Sequence, residues 1–294
     1  MKAALHPRVR ALCAPVVIGA RDVLAAHAGR AALKRISVIE IESRAFHVGK
    51  IHPDHGRAAL DAARRAIEGA LAGEYAAVVA APHSEQAIGA AGIEFDGYPS
   101  FVARTAGLAP EQGILMLCFR HAGREVRIAH VTLHAAVRRA VAMISTERVL
   151  ATVKATGQFL GKVGIERPKI AVSGVNPHAV GDEEETLIKP AIRVARADGL
   201  TVEGPIGADS LVQRAGYDAY VVMLHDQGHV AAKVLAPNRA AALTIGTPVL
   251  FSSVAHGAAF DLAGRNRADP GAMVEAITRL VGRRRRASRT KKNS

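Results

Sequence analysis

Short apolar runs alternate with amphipathic stretches along most of this chain. Segments 16–19 and 36–41 read as short strands. Segment 55–72 places apolar residues at helical spacing, and 76–81 reads as a buried strand closed by Pro82. Segments 114–119 and 126–131 read as neighbouring strands with Gly123 in the turn between them. A long helix is expected over 146–163, and a strand over 169–175 that stops at Asn176-Pro177. Segment 183–197 reads as a helix ended by Asp198-Gly199. The strand 218–224 runs directly into His225-Asp226-Gln227-Gly228. A hairpin-like pair, 241–245 and 249–253, precedes helices over 258–263 and 270–281. Strands that alternate with helices argue for an α/β fold with a largely parallel sheet. No internal repeat or low-complexity linker breaks the pattern, so 1–282 reads as a single interleaved two-lobe unit.

Composition narrows the class. Of 294 residues 49% are apolar, enough to build a core and to exclude disorder over most of the chain. Cys13 and Cys118 are the two cysteines, which excludes a disulfide scaffold and suits a reducing, cytoplasmic setting. No apolar run reaches the roughly 18–20 residues of a membrane span, and the N-terminal residues lack the apolar core of a signal peptide. The net charge of +13 is concentrated at the end, where Arg283 to Arg286, Arg289, Lys291 and Lys292 form a basic stretch with no acidic residue. Segment 283–294 therefore reads as a solvated, disordered tail. The remaining excess is mild and aromatics are 4% of the chain, so nucleic-acid and membrane partners are not expected.

The chain carries 13 histidines. His6, His27, His47, His52 and His55 lie in polar contexts and read as surface residues. His134, His178 and His225 share another context, because each follows an expected strand. In a parallel sheet the carboxyl ends of strands line one crevice, where ligands bind. Three imidazoles there could hold a divalent cation and leave positions open for substrate, with Asp226 as the nearby acceptor that fixes a ring's tautomer. Their wide separation matches no local metal motif, so a structural role for each stays open on spacing alone.

Gly174-Val-Asn-Pro-His-Ala179, Met223-Leu-His-Asp-Gln-Gly228 with Lys233, and Ser253-Val-Ala-His-Gly257 followed by Asp261-Leu-Ala-Gly264 resemble the 4-hydroxythreonine-4-phosphate dehydrogenase family. The resemblance spans about residues 15–281. It implies an isocitrate/isopropylmalate-dehydrogenase-like two-lobed α/β/α fold with a cleft between lobes. It implies a homodimer with the active site at the interface, and a small-molecule substrate. It assigns the metal to His134, His178 and His225, with zinc first among the cations and magnesium or cobalt as alternatives. No Gly-x-Gly-x-x-Gly follows a strand, so the usual dinucleotide fingerprint is absent. The resemblance nevertheless implies NAD or NADP, carried by Gly246, His256 and Asp261. The family also opens with a strand and a Gly-rich loop that have no counterpart here, which suggests a start further upstream.

Four departures redirect the substrate. The family's phosphate enzymes carry Gly-His-Thr-Glu where this chain has Gly97-Tyr98-Pro99-Ser100, and a lysine where it has Glu85. Their substrate-contacting asparagine and arginine fall on Ala242 and Phe251. A phosphate dianion would lose its matching donors, at roughly 1.5–3 kcal/mol for each charge-assisted hydrogen bond. Ala81-Pro-His-Ser-Glu85, Asp96-Gly-Tyr-Pro-Ser100, His130-Val-Thr-Leu-His134 and His225-Asp-Gln-Gly-His229 instead resemble the branch that contains terephthalate dihydrodiol dehydrogenase. That branch implies oxidative decarboxylation of a cyclic cis-diol carboxylate to a catechol such as protocatechuate. The alternative is a four-carbon phosphate substrate, as in 4-hydroxythreonine-4-phosphate oxidation for pyridoxal phosphate synthesis. The resemblance gives Lys233 and Asp226 as catalytic residues, and Tyr98, His83, His229 and Lys233 as substrate contacts.

Overall fold

An eight-stranded mixed sheet runs through the chain in the computed structural model, which describes all residues except Ala45, Asn238 and 291–294, with the backbone alone for 282–290. Its strands are β3 (Val78–Val79), β4 (Ile114–His121), β5 (Arg124–His130), β6 (Lys169–Ser173), β7 (Thr201–Ile206), β8 (Ala219–Val222), β9 (Ala241–Ile245) and β10 (Phe251–Val254). Their order across the sheet is β3-β10-β9-β4-β5-β8-β6-β7. Before them, β1 (Val16–Ile18) and β2 (Ser37–Ile39) pair in parallel as a separate two-stranded sheet.

The expected largely parallel sheet is more mixed. Strands β10, β9, β4 and β5 form an antiparallel run: short turns join β4 to β5 and β9 to β10, and β9 pairs with β4 from far along the chain. The β4–β5 turn takes Ala122 at φ 48° and Gly123 at φ 77°, the two left-handed residues that a two-residue hairpin needs. On the other half, β5, β8, β6 and β7 are all parallel. The carboxyl ends of β5, β8 and β6 therefore lie side by side on one edge.

Period-two alternation divides the side chains between the two faces. Met116, Cys118, Ala129, Val172 and Val221 pack on one face, beneath the helices Thr146–Lys162 and Lys189–Ala197. Leu117, Phe119, Ile128 and Tyr220 pack on the other, beneath the helix His225–Leu235. A third cluster joins Ile67 of the helix Pro53–Leu71 to Tyr98, Phe101 and Phe251.

Three elements differ from expectation. The segment expected as one helix is continuous through Pro190, but its first part, Glu184–Ile188, is a π-helical turn before the regular helix. Strand β7 escapes the apolar-run signal because Gly204 and Pro205 lie inside it, and an edge strand tolerates them. Segment 258–263 holds only the 3-10 turn Phe260–Leu262, hemmed by Gly257 and Gly264. The last helix, Gly271–Thr290, carries the backbone past residue 282, where the sequence places the start of the basic tail; 291–294 of that tail lie outside the described residues. Among the described residues, no helix is long and apolar enough to cross a membrane.

Ile170 on β6 is fully buried and paired with both β7 and β8. Ile170→Ala should cost about 2–5 kcal/mol of unfolding free energy, read from a urea denaturation curve.

Candidate active site

The shared edge of β5, β8 and β6 positions three loops. The loop after β5 carries His134, the helix after β8 begins at His225, and the loop after β6 carries His178. Val131 N–H donates to Val222 O at 2.9 Å, and Thr132 Oγ1 donates to Met223 O at 2.8 Å. These bonds tie the His134 loop to the strand that leads into His225. The His134 and His225 ring centres are 5.5 Å apart. His225 Nδ1 lies 2.7 Å from Asp226 Oδ1, so with Nδ1–H donating to the carboxylate, Nε2 is left as the ligating nitrogen. The His225 contact is also the main cause holding the exposed Asp226 carboxyl below its ordinary value.

These features bear on the expected cation. Two imidazoles that share one zinc at about 2.1 Å hold their ring centres roughly 5 Å apart. The His134–His225 pair meets that spacing, and the Asp226 contact supplies the tautomer. His178 is exposed on its own strand-end loop. Among the described residues, no three His, Cys, Asp or Glu side chains converge as a metal group. The donor chemistry thus fits a divalent cation at two of the three expected ligands.

Behind this pair lies a histidine array. The His225 and His229 rings stack at 3.7 Å with an 11° tilt, as residues one helical turn apart can. His130, on β5, lies 4.8 Å from the His229 ring and is 2% exposed. Its Nδ1 faces Leu115 O at 3.4 Å, and its Nε2 has no hydrogen-bond partner. Burial, and then the neighbouring His229, hold His130 well below the ordinary histidine value. His229 is lowered to about 4, by burial and then by His225. The approach is close because residue 228 is glycine: a Cβ there would lie 2.2 Å from His130 Nε2.

Two cavities border this helix, one at its first turn and one along its later turns. One, of about 370 Å³, contains His134, His225 and Asp226, with Leu133, Val137 and Leu224. The other, of about 350 Å³, is lined by Leu117, Ala232, Ala255, His229, His256 and Lys233, among others. The β9 partner of Leu117 is Ala242, one of the family departures, but Ala242 itself does not line the cavity. Lys233 is exposed on the helix, the setting of a counter-charge and not of a buried base.

The other expected contacts are distributed unevenly. Gly97 packs against His134, with a virtual Cβ 3.5 Å from its ring, which brings the 96–100 segment to the site. His83 sits T-shaped on Tyr98 at 4.7 Å and is lowered mainly by burial, with Glu85 opposing. Tyr98 itself is 5% exposed and packs with Phe95, Phe101 and Phe251; burial pushes its hydroxyl up to about 12. Neither cavity is lined by Tyr98 or Phe251. Gly246 closes the β9–β10 turn at φ 82°, on the His134 edge, with a virtual Cβ 2.2 Å from Gln112 O. His256 lies beyond the opposite end of β10, so the structure separates these two residues. Asp261 is exposed on the turn Phe260–Leu262. Sequence reasoning missed His130 as a site neighbour, although its place four residues before His134 was the available signal. It also missed the helix that follows β8.

Comparison with known proteins follows the same lines. The family model of the pyridoxal phosphate biosynthetic protein PdxA matches residues 11–280. A 1,2-dihydroxy-3,5-cyclohexadiene-1,4-dicarboxylate dehydrogenase from Comamonas sp is 44% identical, covering 79% of this chain and 74% of the relative. A putative 4-hydroxythreonine-4-phosphate dehydrogenase from Salmonella typhimurium superposes with a TM-score of 0.76 at 32% identity, covering 91% and 89% of the two chains. A terephthalate 1,2-cis-dihydrodioldehydrogenase from Burkholderia xenovorans LB400 superposes at 0.67 with 35% identity, covering 90% and 88%. In fold alone, an isocitrate dehydrogenase from Methylococcus capsulatus matches at 0.52 with 12% identity, covering 94% and 88%.

His130 gives a pH test. Its folded-state value lies below the roughly 6.5 of an unfolded histidine, so the unfolded chain takes up the proton first as pH falls. Stability of the metal-free protein should therefore decline from about pH 7 to about pH 5, with His83 and His229 adding the same sign. His130→Leu should flatten that decline in urea midpoints measured across the range.

Proposed function

The chain belongs to the family of the pyridoxal phosphate biosynthetic protein PdxA and is a dehydrogenase, and we propose that its substrate is a cyclic cis-dihydrodiol carboxylate. The product is then a catechol. The observation that carries this reading is the cavity beside His229. Its walls include Leu117, Ala232 and Ala255, and among the described residues that line it, Lys233 is the one lysine or arginine. An apolar floor with a single ammonium suits a six-membered ring bearing a carboxylate. A phosphate dianion asks for several donors. The Comamonas relative, whose name specifies a dihydroxycyclohexadiene dicarboxylate, supports the same choice. The better superposition on the Salmonella structure favours the second reading, a four-carbon phosphate ester.

The chemistry follows from the substrate. Hydride leaves the carbinol carbon next to the carboxylate-bearing carbon, and the hydroxyl gives up its proton, which yields a β-keto acid. Loss of CO₂ then leaves its electron pair on the ring, which becomes aromatic, and the product oxygen takes a proton. When bound, NAD or NADP accepts the hydride, and a divalent cation stabilises negative charge on the reacting oxygen. His134 and His225, with His178, are the residues to hold that cation. Asp226 orients the His225 ring through its Nδ1 contact. Lys233 pairs with the carboxylate, and His229 walls the ring in. His256 and Asp261 are assigned to the dinucleotide, and Gly246, at the other end of β10, is not brought to them.

The same reading includes a homodimer that closes over the site. Val137, which lines the cavity containing His134 and His225, is 68% exposed. Val230 and Val234, on the helix that begins at His225, are 59% and 73% exposed. Apolar side chains gathered around a catalytic cleft favour a covering partner.

Purified, zinc-supplemented protein should reduce NAD with a cis-dihydrodiol dicarboxylate, and His225→Ala should abolish this in a spectrophotometric assay. Lys233→Met should raise KM about ten- to hundredfold, the equivalent of roughly 1.5–3 kcal/mol. Turnover of the phosphate ester alone would overturn the choice of substrate.

A further inference from the structure

We propose that His229 is a specificity-determining residue, whose Nε2 accepts a hydrogen bond from the substrate hydroxyl that is not oxidised. The proposal rests on the reading of the substrate as a cis-dihydrodiol carboxylate, and it names the protein atom that recognises the second oxygen of the diol.

The His229 ring is held in one orientation. His225 stacks on it at 3.7 Å with an 11° tilt, and His130 meets it from the sheet at 4.8 Å with a 54° tilt. Its Nδ1 lies 3.3 Å from His225 O. A carbonyl only accepts, so Nδ1 carries the hydrogen, and in the neutral ring Nε2 carries the lone pair. Because Nδ1 is turned back to the helix, Nε2 is left at the outer end of the ring. Among the described residues no hydrogen bond is made at Nε2, and the half-buried ring lines the cavity that also contains Lys233. A fixed acceptor without a protein partner, on the wall of a cavity, is a place for a ligand's donor.

Position on the helix identifies that donor. His225, His229 and Lys233 are four residues apart, so they form one stripe along His225–Leu235. A cation ligand, a neutral acceptor and an ammonium follow one another on that stripe. The substrate carries a matching series: the carbinol oxygen that is oxidised, the hydroxyl on the adjacent carbon, and the carboxylate on that same carbon. The first belongs at the cation beside His225 and the last at Lys233, so the hydroxyl between them falls at His229. The stacked pair also stands between the two cavities, since His225 lines one and His229 the other. A vicinal cis-diol that straddles the pair meets both rings. A phosphate dianion has no hydrogen to give, and at Nε2 it would set lone pair against lone pair. The same atom thus favours a diol and opposes the phosphate ester.

The test uses the full zinc-loaded chain as wild type, His229→Leu and His229→Gln. Calorimetry without NAD gives the affinity for two saturated acids. One is a cyclohexane carboxylate with cis hydroxyls on the carboxylate-bearing carbon and its neighbour; the other lacks the hydroxyl on the carboxylate-bearing carbon. NAD affinity is measured beside them. The wild type should bind the diol acid about tenfold or more tightly than its analogue. His229→Leu should bring the two within about threefold, and His229→Gln, whose amide oxygen accepts, should keep part of the preference. An undiminished preference in His229→Leu overturns the proposal. So does an equal loss for both acids, the signature of a mere wall. So does a loss of NAD affinity with the preference intact, which gives the acceptor to a ribose hydroxyl instead. Should His229→Leu fail to fold, His229→Phe keeps a ring against His225 without the nitrogens and carries the same comparison. A wild type that binds the diol acid without preference refutes the proposal alone. A wild type that binds neither acid refutes the dihydrodiol reading, and the proposal falls with it.

Discussion

Parallel pairing of β5, β8 and β6 is the constraint on which the rest of the site depends. Because the three strands point the same way, the residues that follow them are delivered to one edge. Neighbouring strands lie about 4.8 Å apart, so side chains on adjacent strand ends are within reach of a shared ligand. The antiparallel β9, β4 and β5 run extends the sheet on the far side of β5 without disturbing that edge. Apolar packing on both faces holds the strands in register, while backbone and side-chain hydrogen bonds at the edge hold the loops. The two tasks use different forces and different residues. The sheet can be stable through Ile170 and Leu117 while the edge is tuned through Thr132.

The histidines near this edge fall into two settings, and burial distinguishes them. His134, His178 and His225 sit at strand ends with nitrogens accessible to a ligand. His130 is buried, which holds it well below the ordinary histidine value, and one of its nitrogens lacks a hydrogen-bond partner. A buried polar atom without a partner costs stability. The structure accepts that cost directly behind the His225–His229 stack, where the helix closes onto the sheet.

Much of this was legible in the sequence. The runs at β4, β5, β6 and β8 announce themselves because strands buried on both faces need no polar alternation. The placement of His134 and His225 follows from those strands alone. What remained hidden depended on tertiary contact. Tyr98 reads as a pocket aromatic, yet Phe95, Phe101 and Phe251 surround it, and no sequence spacing reveals that company. Gly246 and His256 lie close in sequence but face opposite ends of a hairpin, because β10 carries the chain away from the turn. Pro190 was visible, but the π-helical turn at Glu184–Ile188 before it was not.

Gly228 has a consequence for how such a cleft can change. The helix His225–Leu235 is seated on the sheet by backbone against the His130 ring, a contact with no spare space. Its origin is anchored independently of the side chains further along. Ala232, from a later turn of the same helix, and Ala236, just past its end, line the cavity, and both are small. Exchanging them for bulkier residues would reshape that cavity while the first turn kept its seat. The architecture thus separates a fixed pivot from an adaptable wall, and the cavity can be redrawn on the wall without moving the pivot.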